Sequence, residues 1–293
     1  MLVSELIDRT YNEWLWPAGV DRPAFDTLSG NIDATTTSIT LSGRLNKVPN
    51  DSVIEIASEL ILLSSTAGSV LTAAQRGYLN TTGALHYSGD LVFVDPKFPR
   101  LTMLNALTAV VGMLRPWGLY WRKTTTSTID RSAVAALPTG GKKILSILER
   151  SLGADETYRR LKPGQDWMVF EEFTPAKYQL LSGAEGADIT IVYTTDFTAP
   201  TAEADDITTT CGVPDTLAPF LPLAVAGYAL QGREIPRVAV EEIRRNLATQ
   251  GIQVGTALNI GQQLLGFFKN IYVAAERRRQ SELDPLGFEW ARR

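Results

Sequence analysis

The strongest constraint in this chain is where its hydrophobic periodicity changes. Up to about Leu217 most apolar residues fall into short strand-like runs, and from there to Leu283 they recur at helical spacing. Within the first part, helical spacing returns twice. Leu2, Leu6, Ile7, Tyr11 and Trp14 form one such segment, closed by Pro17-Ala18-Gly19, and Leu101–Leu114 forms another between Pro99 and Pro116. The order is therefore helix, β, helix, β, then three helices, which is not the regular alternation of a parallel α/β sheet. This order predicts an α+β fold with a helical core, built from the N-terminal helix, the central helix and three C-terminal helices. Two small β-barrel or sandwich segments would be inserted between those helices. On this reading residues 1–24 and 100–116 supply core helices, 25–99 an inserted β module, 117–212 a second β-rich segment and 213–283 the rest of the helical core. Residues 284–293 form an extended tail.

The strand signals in the first module are Thr37–Leu41 and Val53–Ile56, which alternate, then the apolar run Glu59–Leu63, Val70–Arg76 and Asp90–Val94. In the second segment the clearest are Gly118–Arg122, Lys142–Leu148, Trp167–Phe170 and Asp188–Tyr193. Leu101–Leu114 is apolar on most faces and predicts burial on several sides. The C-terminal helices are expected at Leu217–Gln231, Pro236–Thr249 and Ala257–Leu283, with Gly232 and Pro236 placed as helix stop and start. The last of them carries a stripe of Leu258, Leu264, Leu265, Phe268, Ile271, Tyr272 and Ala275. The module at 25–99 is expected to be peripheral, because insertions on surface connections cost little loop-closure entropy.

Net charge is −4 over 293 residues, but its distribution is uneven. The stretch from Pro236 to Arg293 carries +3 and the remainder −7. A basic end on an acidic body suits docking between copies or onto a partner, and is too weak to signal nucleic-acid affinity. The longest apolar runs are about 14 residues, short of the roughly 20 that a membrane span needs. No basic-then-apolar leader opens the chain, so a cytoplasmic origin is expected.

Chemistry is sparse. Cys211 is the only cysteine and His86 the only histidine, so no Cys-based metal site or cluster of metal-binding spacing can form, and no cofactor is expected. His86 lies in a turn-rich stretch and reads as structural. Thr139-Gly140-Gly141-Lys142-Lys143 lacks the spacing of a phosphate loop and reads as a hairpin turn. Among the acidic pairs, Glu171-Glu172 would point to opposite faces of a strand, Glu241 pairs with Arg245 along a helix, and Asp205-Asp206 reads as a solvated loop. No residue is therefore assigned a catalytic or metal-binding role. The residues that remain are Arg277, Arg278 and Arg279 at the end of the last helix, then Phe288, Trp290, Arg292 and Arg293 beyond Pro285. Aromatic residues with arginine are the types that anchor interfaces, so these seven are the expected partner-docking residues.

Three stretches carry a resemblance. Gln75-Arg76-Gly77-Tyr78-Leu79-Asn80-Thr81-Thr82, followed by His86, Gly89-Asp90 and Phe98-Pro99-Arg100, resembles the turn, strand and link of virion proteins of tailed bacteriophages. Val213-Pro214-Asp215 with Leu223–Leu230 and Arg233-Glu234 is similar to a helix of the same proteins. Tyr272 with Glu276-Arg277-Arg278-Arg279 is similar to the last helix of their head-to-tail connectors. The resemblance implies a structural adaptor of the virion neck: a homo-oligomeric ring of about a dozen copies beneath the portal protein. The tail would dock on the portal, the next neck or tail component would lie below, and double-stranded DNA would pass through the bore without specific contacts. The alternatives are a tail or baseplate component and, from another class, a carboxylate-dependent hydrolase.

Overall fold

The computed structural model describes residues 1–15, 23–45, 48–150, 158–170, 176–231 and 257–283. Among these, thirteen strands form three antiparallel sheets. Strands β1 (Ala24–Thr27), β2 (Ser38–Thr40), β3 (Val53–Ile56), β4 (Glu59–Ala67), β5 (Val70–Gln75) and β6 (Leu91–Val94) make the first, in the order β1-β6-β3-β4-β5-β2. This sheet curls into a half-barrel. Its two outer strands meet just past their ends, where Leu28 bridges to Leu41 and the Ser29 N–H donates to the Thr40 carbonyl. The interior is filled by inward residues of alternate strand positions, among them Ile39, Ile54, Ile61, Leu71 and Val92.

Strands β7 (Trp121–Thr128), β9 (Gly141–Arg150), β10 (Tyr158–Leu161) and β13 (Asp188–Thr195) form the second sheet, ordered β10-β9-β13-β7. Strands β8 (Val134–Ala136), β11 (Trp167–Phe170) and β12 (Lys177–Leu180) form the third, ordered β11-β12-β8. Ile144, Ile147, Ile189 and Ile191 of the second sheet share one apolar cluster with Trp167, Tyr178 and Leu180 of the third, so the two pack as layers. The turn through Gly140, at φ 75°, leads from the third sheet into the second, so it is not a hairpin.

Four continuous helices complete the described residues. Helix α1 (Val3–Arg9) continues as a π-helical stretch, Thr10–Leu15. Helix α2 (Arg100–Leu114) buries Met103, Ala106, Leu107, Val110, Val111 and Leu114, a single stripe at spacings of three and four rather than several faces. Helix α3 (Leu221–Gln231) crosses α4 (Ala257–Phe267) at close range. A Cβ on Gly261 would lie 2.4 Å from the Gly227 carbonyl oxygen, so the backbones approach there as only glycine permits. A π-helical stretch, Phe268–Val273, joins α4 to α5 (Ala274–Leu283).

The expected helical core with inserted β segments is therefore corrected. The protein is mostly β, and each β unit has a hydrophobic cluster of its own, beside a third cluster formed by the helices. The misreading has a physical source. Leu101–Leu114 and Leu217–Leu230 are the densest apolar runs in the sequence, whereas a strand with one buried face shows its core residues only at every second position. The expected helix at Pro236–Thr249 lies outside the described residues.

Candidate functional site

Two buried glutamates stand on one β-hairpin, and each organises a different piece of surface. Ile56 pairs with Glu59 across the turn, and Glu55 with Leu60. Ala57, in that turn, holds a left-handed φ of 51°.

Glu59, 1% exposed, sits at the centre of a closed ionic cluster. Arg76 Nε donates to its Oε1 at 2.7 Å and Nη2 to its Oε2 at 2.8 Å, a bidentate pair. His86 Nε2 lies 2.7 Å from Oε2, and the backbone N–H groups of Gly77 and Ala84 donate to the same carboxylate. The remaining Arg76 donors reach the carbonyls of Asp33, Thr36 and Ala84. Burial alone would raise the Glu59 pKa. The donors from Arg76, Ala84, His86 and Gly77 outweigh it and hold the carboxyl down at about 2.

The cluster accounts for the Arg76-Gly77-Tyr78 turn. Gly77 has φ 61°, and a Cβ there would meet the Thr81 carbonyl oxygen at 2.7 Å. Leu79 and Asn80 follow at φ 53° and 64°, and Thr81 fastens the loop by accepting from the Leu60 N–H at 3.0 Å. Side chains with positive φ cost roughly 1 kcal/mol or more each, so the loop holds its shape because the buried cluster fixes it. Its tip exposes Leu79 (61%) beside Asn80 and Thr82, and Leu85 and Tyr87, on either side of buried His86, are also more than half exposed. His86 is structural, as the sequence suggested.

Glu55, 2% exposed, meets a different environment. One carboxyl oxygen accepts from the Arg100 backbone N–H at the start of α2. The Arg100 guanidinium turns elsewhere, to Glu203 at 2.8 Å and Asp8 at 2.6 Å. With no cation paired to it, burial dominates and the Glu55 pKa is pushed up to about 8. Glu55 lines a cleft of about 650 Å³ between the half-barrel, α1 and the link into α2. Phe25 and Phe93, a cross-strand pair with ring centroids 6.4 Å apart, form part of its apolar wall. The sequence marked Arg100 but gave no sign of Glu55.

The C-terminal candidates divide. Arg277, Arg278 and Arg279 are exposed on α5, and Arg279 Nη1 donates to Thr216 Oγ1 at 3.0 Å. Phe288, Trp290, Arg292 and Arg293 lie outside the described residues. The helix bearing the arginines is anchored: Phe268 and Val273 are buried, Glu276 accepts from Thr216, and Gln280 donates to the Tyr120 carbonyl. The expected apolar stripe is broken, because the π-helical stretch adds a residue to the turn and rotates the face that follows it. Of the stripe, Ile271 and Ala275 emerge on the surface near the exposed Phe267, which was not part of it, and Tyr272 stacks on the exposed Phe220 ring at 3.9 Å.

Other candidates are absorbed by the fold. Asp205 caps the N–H groups of Thr201 and Ala202, and Asp206 those of Thr208 and Thr209. Glu171-Glu172 and Glu241-Glu242 lie outside the described residues. Among the described residues no group of His, Cys, Asp or Glu could hold a metal ion, and no helix is long and apolar enough to cross a membrane.

No protein-family model matches the chain, and a comparison with curated proteins finds no match.

Proposed function

We propose that this chain is a structural subunit of a tailed-phage neck, a head-to-tail adaptor that assembles as a homo-oligomeric ring beneath the portal. The observation that carries the reading is a pair of unlike apolar surfaces on separate units. One is made by the exposed Leu79 of the pinned loop, with the exposed Leu85 and Tyr87 that follow it in the half-barrel. The other is the Phe220, Phe267 and Ile271 face on the helices, with Arg277–Arg279 further along the same helix. Ring closure with one kind of subunit needs two different patches that meet head to tail, and a lone folded chain has no use for either. The arginine triplet and the tail with Phe288, Trp290, Arg292 and Arg293 then serve the portal contact, and DNA passes through the bore. Localisation in the virion neck follows from the same reading.

A tail or baseplate component would use the same surfaces. A carboxylate-dependent hydrolase is favoured only by Glu55 in its cleft, and Asp8 and Glu203 beside it are engaged by Arg100. The test is a mass measurement of the purified chain, alone and with the neighbouring portal protein. The expected result is a closed ring that binds the portal in matching symmetry. A monomer under both conditions overturns the reading, and binding only to a tail component moves it to the tail.

A further inference from the structure

Given a ring, we propose that the outer edge of β7 receives strand β10 of a second copy, so that the second sheet runs on from subunit to subunit.

The second sheet is ordered β10-β9-β13-β7, so β7 and β10 are its two margins. Strand β7 is eight residues long and pairs with β13 in unbroken register from Trp121 to Thr128. None of its residues is buried. Among the described residues, the backbone of 124–128 bonds to no strand but β13. Sheet edges are commonly blunted by a proline, a bulge, a covering segment or a charge. The only charges on β7 are Arg122 and Lys123 in its first half. Residues 124–128, Thr-Thr-Thr-Ser-Thr, carry none of these devices, and β-branched threonine favours extended backbone. The edge is ready for one more strand.

The opposite margin fits it in length, direction and charge. Strand β10 has four residues, and Pro163 just beyond it ends the pairing, so it covers 124–128 and stops short of Lys123. The four strands alternate in direction, so β7 and β10 run antiparallel, and a copy added edge to edge in the same orientation continues that pattern. Arg160, Leu148, Thr190 and Thr126 pair in one row across the sheet, on the face away from the apolar cluster shared with the third sheet. Asp188 lies on the same outer face, beside Thr128 at the β7 margin, and is exposed. Extending the row sets Arg160 of the second copy against Thr126, with its cation on the side of Asp188. Pairing β7 with β7 of a second copy would also be antiparallel. That twofold contact closes on two subunits and leaves β10 open, whereas a ring needs unlike edges. The apolar surfaces attract without direction, and strand register fixes the angle between subunits.

The test uses two full-length variants, Thr126→Cys and Tyr158→Cys, both at exposed positions, while the native Cys211 is buried. They are mixed, allowed to exchange and treated with a short bismaleimide. In the paired edges the two positions are diagonal neighbours, about 7–8 Å apart. Covalent dimers are expected in the mixture and in neither variant alone, and the double variant should give a ladder of covalent multiples. Dimers of Thr126→Cys alone overturn the assignment in favour of a twofold β7 contact. A closed ring by mass with no crosslink in the mixture overturns the edge pairing and leaves the ring standing. Monomers by mass with no crosslink overturn both. Crosslinked oligomers that ignore the portal sink the neck reading and leave the edge pairing in place. Arg160→Glu should lower the crosslink yield at least severalfold, and Asp188→Arg in the same chain should restore it. An unchanged yield overturns the role of that charge pair.

Discussion

Glu55 and Glu59 stand on one hairpin, are equally hidden from water, and end in opposite states of charge. Glu59 has a bidentate arginine, a histidine and two backbone donors. Glu55 has one backbone donor and a cleft. Burial penalises ionisation of both carboxyls, so what separates them is the number of donors that reach each one. The closed cluster is a device for holding a loop still. The under-supplied acid faces the open space in which a partner can make up the missing bond.

The largest effect should come from opening the closed cluster. Glu59→Ala leaves the Arg76 guanidinium buried without its carboxylate, and removing one member of a buried pair costs about 3–5 kcal/mol. Chemical denaturation of the variant should show a loss of that size. The Glu59→Ala, Arg76→Ala double variant should lose clearly less than the two single losses added together, because no charge is then stranded. Additive losses would mean that the pair is not coupled. The same cluster sets the acid limb. Its folded pKa of about 2 lies below the ordinary value of 4.5, so its contribution is present above pH 4.5 and lost as pH falls toward 2.

Glu55 should show the opposite sign. Its folded pKa of about 8 lies above 4.5, so between those values the folded state keeps a proton that the unfolded state has released. Stability from this group is full below about pH 4.5 and falls as pH rises to about 8, by at most roughly 1.4 kcal/mol per pH unit. Glu55→Gln keeps an oxygen for the Arg100 N–H and cannot ionise. The variant should match the wild type near pH 4 and exceed it by a few kcal/mol at pH 8. Parallel curves of melting temperature against pH for the two proteins would show that Glu55 is not held neutral.

Third in size is Gly77→Ala, which tests whether the loop is fixed by its backbone as well as by charge. The new Cβ would meet the Thr81 carbonyl oxygen at 2.7 Å in a left-handed conformation, and the expected cost is about 2 kcal/mol. Leu79 and Tyr87 should then lose their fixed presentation, and ring assembly should fall further than stability does. Equal losses in the two measurements would remove the loop from the interface.

Much of this comparison was legible in part. The Arg76-Gly77-Tyr78 turn, His86 and Arg100 all stood out in the sequence, since glycine, a lone histidine and a proline-arginine link are local signals. Glu55 and Glu59 did not. In Val53-Ile54-Glu55-Ile56 the acid falls at a position that alternation assigns to solvent, and that rule holds only where one face of the sheet meets water. Here the outer face at Glu55 is covered by the start of α2, a contact 45 residues away in the chain that no local pattern encodes. The last helix failed for a related reason. A stripe read at 3.6 residues per turn places Ile271 inside, and the π-helical stretch at Phe268–Val273 turns it out.

The smallest predicted effect lies in the turn between the two acids. Ala57 holds φ 51° and also lines the cleft. An L-residue in this region costs roughly 1–2 kcal/mol, and glycine removes that cost while adding about 0.5–1 kcal/mol of backbone entropy to the unfolded chain. Ala57→Gly should therefore stabilise the protein by less than about 1 kcal/mol. The sign matters more than the size. A gain with unchanged pH curves for both glutamates would show that the turn merely connects them, and that each carboxyl state is set by the donors around it. If the variant instead loses stability and its pH curve loses the fall between 4.5 and 8, the strained alanine is what presses Glu55 into its dry position. The two acids would then differ by backbone geometry and not by the supply of donors.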